Sequence, residues 1–160
     1  MRSFLFLFLL SICISVQADA QKSLDNIFGT YSQDENASYV KMDGSMLSYF
    51  VKDGMKSKLK KLDVVIFSEG HLLDKATSNS MKKTAKSNGF EQLINVTDKD
   101  AKVDIFSKDK NDYLESVFMI VNMPDKSIIV RLKGRIFLEE LKDFNFGGVE
   151  GTEQLSQLFK

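Results

Sequence analysis

The stretch from Glu91 to Phe137 constrains the fold more than any other, because it reads as four consecutive β-strands joined by short polar turns. Leu93, Ile94 and Val96 mark the first strand, and Val103, Ile105 and Phe106 mark the second. In Tyr113 to Met123, residues Val117 to Val121 are apolar without a break, as expected of an interior strand with both faces covered. In Ser127 to Phe137, the apolar Ile128, Val130, Leu132 and Ile136 fall on one side and Arg131, Lys133 and Arg135 on the other, the period-two pattern of a strand with one wet face. Pro124 and Asp125 supply the turn between these last two strands. A two-residue and a three-residue loop there bring opposite faces of the preceding strand beside the cations, and the sequence leaves both open.

The other segments read as elements that pack on this sheet. Ser23 is placed to cap a short helix in which Leu24, Ile27, Phe28 and Tyr31 share one face. A short strand is expected over Ser38 to Met42. Two short helices are expected next, one marked by Met46, Leu47, Phe50 and Val51 and one by Met55, Leu59 and Leu62, with a break at Asp53-Gly54. Val64 to Phe67 is a β-branched and aromatic run that predicts a buried strand over Asp63 to Ser68. A helix of about four turns follows over Leu72 to Asn88, ended by Asn88-Gly89-Phe90 as a glycine cap. After Phe137, the residues Leu138, Leu141 and Phe144 predict a closing helix.

The N-terminus sets the expected compartment. Arg2, the apolar stretch Phe4 to Val16 and the small-x-small triplet Ala18-Asp19-Ala20 predict a secretory signal peptide over residues 1–20. That stretch is shorter than the roughly 20 residues a spanning helix needs. Lipidation at Cys13 is the minor alternative, since Ile12 stands where a lipoprotein signal has a small residue. A single α+β domain is expected over 21–146, with a glycine-linked tail over 147–160 that holds one amphipathic turn. The product would be exported, to the periplasm or cell envelope. Cys13 is the only cysteine, so the mature chain would carry no disulfide and no thiolate ligand. With 22 basic and 22 acidic residues, no global field recruits nucleic acid or an anionic bilayer.

No constellation of reactive residues stands out. His71 is the sole histidine, and with Glu69 and Asp74 it sits at a strand-to-helix junction where a general base could work. It lacks a partner nucleophile and the further ligands that a metal site requires. Asp98, Asp100, Asp109 and Asp112 occupy turns of the meander without the spacing of a calcium loop. No phosphate-binding loop or dinucleotide fingerprint occurs, so no metal and no cofactor is expected. Lys56, Lys58, Lys60 and Lys61, interleaved with Leu59 and Leu62, read as a solvated helix face rather than a membrane-binding one. The most suggestive surface is the stripe of Arg131, Lys133 and Arg135, which could meet an anionic ligand or an envelope protein, or simply keep the sheet soluble.

The order of elements resembles a family of exported bacterial proteins, common in Bacteroidetes, catalogued as domain of unknown function four-two-five-two. The similar features are the leader, a paired-helix segment leading into Leu62 to Phe67, the stretch Phe90 to Val96, and Ile129 to Ile136 followed by a helix. The resemblance covers nearly the whole mature chain and implies no catalytic residues. Its recurrent Leu-x-Gly-x-Ile pattern corresponds to Leu132 to Ile136, where glycine would permit a bulge or close packing. The expected fold is thus α+β, an antiparallel meander sheet with helices packed mainly on one face. The leading expectation is a non-enzymatic binding or interaction module. A small envelope hydrolase or transferase centred on His71, and a weakly self-associating structural subunit, are the alternatives.

Overall fold

The computed structural model describes residues 23–48 and 57–143, and the structural statements below concern those residues. The leader expected over 1–20, the break at Asp53-Gly54 and the tail over 147–160 lie outside them. Helix α1 (Leu24–Tyr31) precedes strand β1 (Ala37–Asp43) and a single helical turn, α2 (Gly44–Leu47). Strand β2 (Lys58–Ser68) and helix α3 (Lys75–Ser87) come next. Four strands then follow in succession, β3 (Glu91–Thr97), β4 (Lys102–Lys110), β5 (Tyr113–Asn122) and β6 (Lys126–Ile136), and a 3-10 turn spans Leu138–Asp143.

All six strands belong to one antiparallel sheet in the order β1-β2-β6-β5-β4-β3. The meander is therefore present, and β2 adds to its last strand instead of leaving that strand at an edge. On one face, Phe67, Phe106, Phe118 and Ile129 pack with Leu24 and Phe28 of α1 and Met81 and Ala85 of α3. On the other face, Val64, Met119, Val130 and Leu132 lie with Leu47 of α2 and Leu141 of the 3-10 turn. The two longer helices thus share one face, as the α+β reading expects.

Local chemistry sets the ends of both helices. The Ser23 hydroxyl accepts from the Asn26 N–H at 3.2 Å, and the Asp74 carboxylate accepts from the Thr77 N–H at 2.6 Å. Helix α3 therefore starts three residues later than Leu72. It ends at Ser87 with Asn88 as its cap, the following Gly89 has a φ of +80° that suits glycine, and the Phe90 N–H returns to the Ala85 carbonyl at 3.1 Å.

Three expectations need correction. The first is the second short helix, because Leu59 and Leu62 lie on β2. A β-bulge between Leu59 and Lys61 adds a residue to the strand, so two leucines three apart face the same core and imitate helical spacing. The second is the meander turn expected to hold both Asp109 and Asp112. Strand β4 runs on to Lys110, and the turn is only Asn111-Asp112, with Asn111 at φ +57°. The third is the wet face of Ser127 to Phe137. Strand β6 is central, and on the supposed wet side Ser127, Ile129 and Arg131 are all buried. The open question at Pro124 resolves to a two-residue loop, since Asn122 pairs with Ser127 and the Met123 N–H donates to the Lys126 carbonyl at 2.8 Å.

Three of the four register shifts among the described strands gather at one level of the sheet, the fourth being between Gln92 and Ile94 on β3. The register shifts at Lys60 against β6, between Leu114 and Ser116 against β6, and again between Lys108 and Asp109 against β5. Gly134 lies at the centre of this line, paired with Leu59. A Cβ on Gly134 would collide with the Lys58 carbonyl oxygen and stand 3.0 Å from the Leu59 Cα. Backbone cannot yield as a flexible side chain can, so Gly134→Ala should cost about 1–3 kcal/mol in urea unfolding. An unchanged midpoint would show that β2 does not depend on this close approach.

Candidate functional site

Arg131 projects from β6 towards α1 and is 2% exposed. Its Nε and Nη2 donate to Oδ2 of Asp63 on β2 at 2.9 and 2.7 Å, and Nη1 donates to Oδ1 of Asp25 on α1 at 2.7 Å. The guanidinium carbon lies 4.5 Å from the centre of the Phe28 ring. Asp63 also accepts from the Tyr39 hydroxyl at 2.7 Å and meets the Lys61 ammonium at 3.3 Å. Burial and the bond to Asp63 push the Tyr39 phenol well above its ordinary value. Desolvation raises the Asp25 carboxyl, but the Arg131 hydrogen bond and charge, together with Lys133, outweigh it and hold Asp25 below its ordinary value. Arg131 is thus bound on both sides by carboxylates, and an external anion would have to compete with them.

Just beyond α1 the same face of the sheet opens into a cleft of about 480 Å³. Its floor follows one row across the sheet. Lys133 pairs with Ser116, and Ser116 with Lys108, while Lys61, the partner of Lys133 on β2, continues the row outside the lining. Neighbouring strands are about 4.8 Å apart, so Lys133 and Lys108 stand roughly 10 Å from each other with the small Ser116 between them. The line of bulges bends the sheet here and brings Lys60 and Glu115 into the wall. Six cations line the cleft, Lys60, Lys108, Lys110, Arg131, Lys133 and Arg135, against two carboxylates, Asp25 and Glu115.

The ion pairs on these cations, apart from Arg131, are loose. Lys133 meets Asp25 at 3.5 Å, Lys110 meets Glu115 at 3.8 Å and Arg135 meets Asp112 at 3.5 Å, all through side chains about half exposed. Such pairs contribute little and yield readily to another anion. Lys60 and Lys108 make no ion pair among the described residues. Arg135 is held between aromatic rings, with its guanidinium carbon 5.3 Å from the ring centres of both Tyr113 and Phe137. That arrangement orients a planar fork of donors at the cleft rim.

The structure therefore brings Lys133 and Arg135 to one cleft and sets Arg131 beneath it as a structural cation. Lys60, Lys108 and Lys110 are the residues that sequence reading missed. The lysine-rich run of β2 resembled a helix face and the end of β4 resembled a turn. The one available signal was the alternation of Lys108 and Lys110 with Asp109, which continues the period of the strand before it.

The other candidate residues sit elsewhere. His71 is exposed, and with Asp74 it borders a depression of about 210 Å³ that Glu69 does not line. Asp74 is already engaged as the cap of α3, where hydrogen bonds from Thr77 lower its pKa. Asp98 accepts from the Lys99 N–H at 2.7 Å and Asp109 accepts from the Ser107 hydroxyl at 2.7 Å. Among the described residues no group of three or more His, Cys, Asp or Glu side chains could hold a metal ion. Among them, too, no helix is long and apolar enough to cross a membrane.

Removing one partner of a buried ion pair leaves a charge without compensation, so Asp63→Ala should lose about 3–5 kcal/mol in urea unfolding. Adding Arg131→Leu to it should recover most of that loss. Asp25 offers a pH test. Its folded pKa is lowered, so its contribution is fully present above the unfolded value of about 3.9 and lost as pH falls through the folded value. Wild type should exceed Asp25→Asn in stability at neutral pH. The difference should vanish on acidification below about pH 4, read from melts at stepped pH.

No curated protein and no solved structure matches this chain. A family profile described as Domain of unknown function (DUF4252) matches residues 31–144, which takes in β1 to β6 and therefore every strand that builds the cleft floor. The chain belongs to that family.

Proposed function

We propose that the protein is a non-enzymatic binding module of the cell envelope, exported by the leader read over residues 1–20, that holds an anionic ligand in the cleft. The observation that carries this reading is the convergence of five loosely paired or unpaired cations, Lys60, Lys108, Lys110, Lys133 and Arg135, from three strands, β2, β4 and β6, on one concavity whose lining holds only two carboxylates. A chain whose 22 basic and 22 acidic residues balance gains no such concentration from composition. The cleft volume lies within the roughly 300–1,000 Å³ range of small-molecule sites. Lysines interleaved with a short serine provide positive potential without filling the space, and the oriented Arg135 adds a fork suited to carboxylate or phosphate.

The test is calorimetry of the purified domain with inorganic phosphate, citrate and sugar phosphates at low and high salt. Binding should weaken as salt rises, and Lys60→Gln with Lys133→Gln should lower affinity by about tenfold or more, as expected when charge-assisted bonds are lost. The melting temperature should hold, because both lysines are at least partly exposed. Binding that ignores both salt and the substitutions, or no binding of any of these anions, would overturn the reading.

A further inference from the structure

We infer that the cleft takes a sugar that carries a negative charge, a pyranose bearing a phosphate or a carboxylate, an inference that rests on the anion-binding reading above. The two carboxylates in the lining carry the argument. Asp25 already answers to the buried Arg131, but a site shaped only for a bare anion gains nothing from Glu115, which repels the ligand, nor from the free oxygen that Asp25 turns to the cleft. A ligand that is both anionic and rich in hydroxyl groups needs acceptors as well as cations, and carboxylates are the strongest acceptors a protein has.

The geometry leaves acceptor capacity open. Arg131 and Lys133 both meet Oδ1 of Asp25, so Oδ2 has no protein donor among the described residues. Lys110 approaches Oε1 of Glu115 at a loose 3.8 Å, and Oε2 likewise has no donor there. Between Lys133 and Lys108, the Ser116 hydroxyl donates its hydrogen to the Leu132 carbonyl at 2.8 Å, so what it has left to offer is lone pairs. Two exposed carboxylate acceptors therefore stand among the lysines, above a Ser116 hydroxyl that is itself buried and has no hydrogen left to donate, where a bare phosphate would need donors. Tyr113, half-buried beside them, adds apolar surface for the C–H face of a ring. Glu115 is the least committed of these groups, since it stands at a bulge and its side chain is 46% exposed.

Calorimetry that compares each sugar anion with its parent separates the two readings, because overall charge effects cancel in the ratio. Glucose 6-phosphate is set against inorganic phosphate, and galacturonate against acetate, with neutral glucose as the uncharged arm. Wild type should favour the sugar anion in at least one pair, and the favoured pair identifies phosphate or carboxylate as the charge. Glu115→Ala should shrink that preference by about tenfold, the worth of a bond to a charged acceptor, and Glu115→Gln should fall between. A preference that is absent in wild type, or unchanged in Glu115→Ala, overturns the sugar assignment and leaves anion binding intact. Failure of every anion to bind overturns both. Unaltered melting of the two Glu115 variants verifies that the fold persists.

Discussion

Arg131 puts a permanent charge, 2% exposed, in the middle of the sheet, and the surrounding architecture answers to that fact. An arginine cannot shed its proton to escape burial, so the protein must bring carboxylates to it. Asp63 comes from the neighbouring strand and Asp25 from a helix 106 residues away in sequence, while Tyr39 on the next strand fixes the second oxygen of Asp63. One guanidinium thus ties α1, β2 and β6 together, and Phe28 seals it from above. A second anchor of the same kind holds α3, where Lys82 meets the buried Asp104 of β4 and Asn95 of β3 donates to that carboxylate. The two helices on this face are therefore located by charge as well as by apolar contact, which is directional and admits fewer alternatives.

The strands of the meander were legible because alternation and turn residues are local signals, and α1 was legible through Ser23 and its apolar stripe. What stayed hidden depends on distant residues. Arg131, Lys133 and Arg135 share a period, and the sequence cannot say that α1 covers the first and stops short of the others. The position of β6 between β2 and β5 was equally invisible, since nothing within residues 126–136 records which strand lies on the far side. Bulges caused the remaining errors. One extra residue at Lys60 turns a strand period of two into an apparent spacing of three, and the eye reads a helix. Of the cations that line the candidate site, Arg131, Lys133 and Arg135 were found and Lys60, Lys108 and Lys110 were not, because those three come from strand ends that looked like turn or helix.

The cleft owes its existence to the same irregularities. A regular sheet under α1 and α3 would present a flat surface at that level. Shifted register on either side of Gly134 bends the strands and leaves small residues, Ser116 and Gly134, where bulky ones would fill the hollow. The polar lining then lies against a rigid backdrop, because Arg131 and its carboxylates fix the strand that bears Lys133 and Arg135. This is the feature that would connect the packing of the sheet to the ligand binding proposed above.

The strand order also bears on how the chain comes into being. Strand β2 holds Val64 and Val65 with no exposure at all, yet its inner partner is β6, the last strand in sequence among the described residues. Until residues 126–136 emerge, the first half of the protein has only β1 to pair with and an apolar edge with nothing beside it. Contacts between segments so far apart in sequence form slowly. In such a chain β1 can pair with β2 and β3 with β4 and β5 beforehand, but the two halves of the sheet join only through β6, where Arg131 meets Asp63.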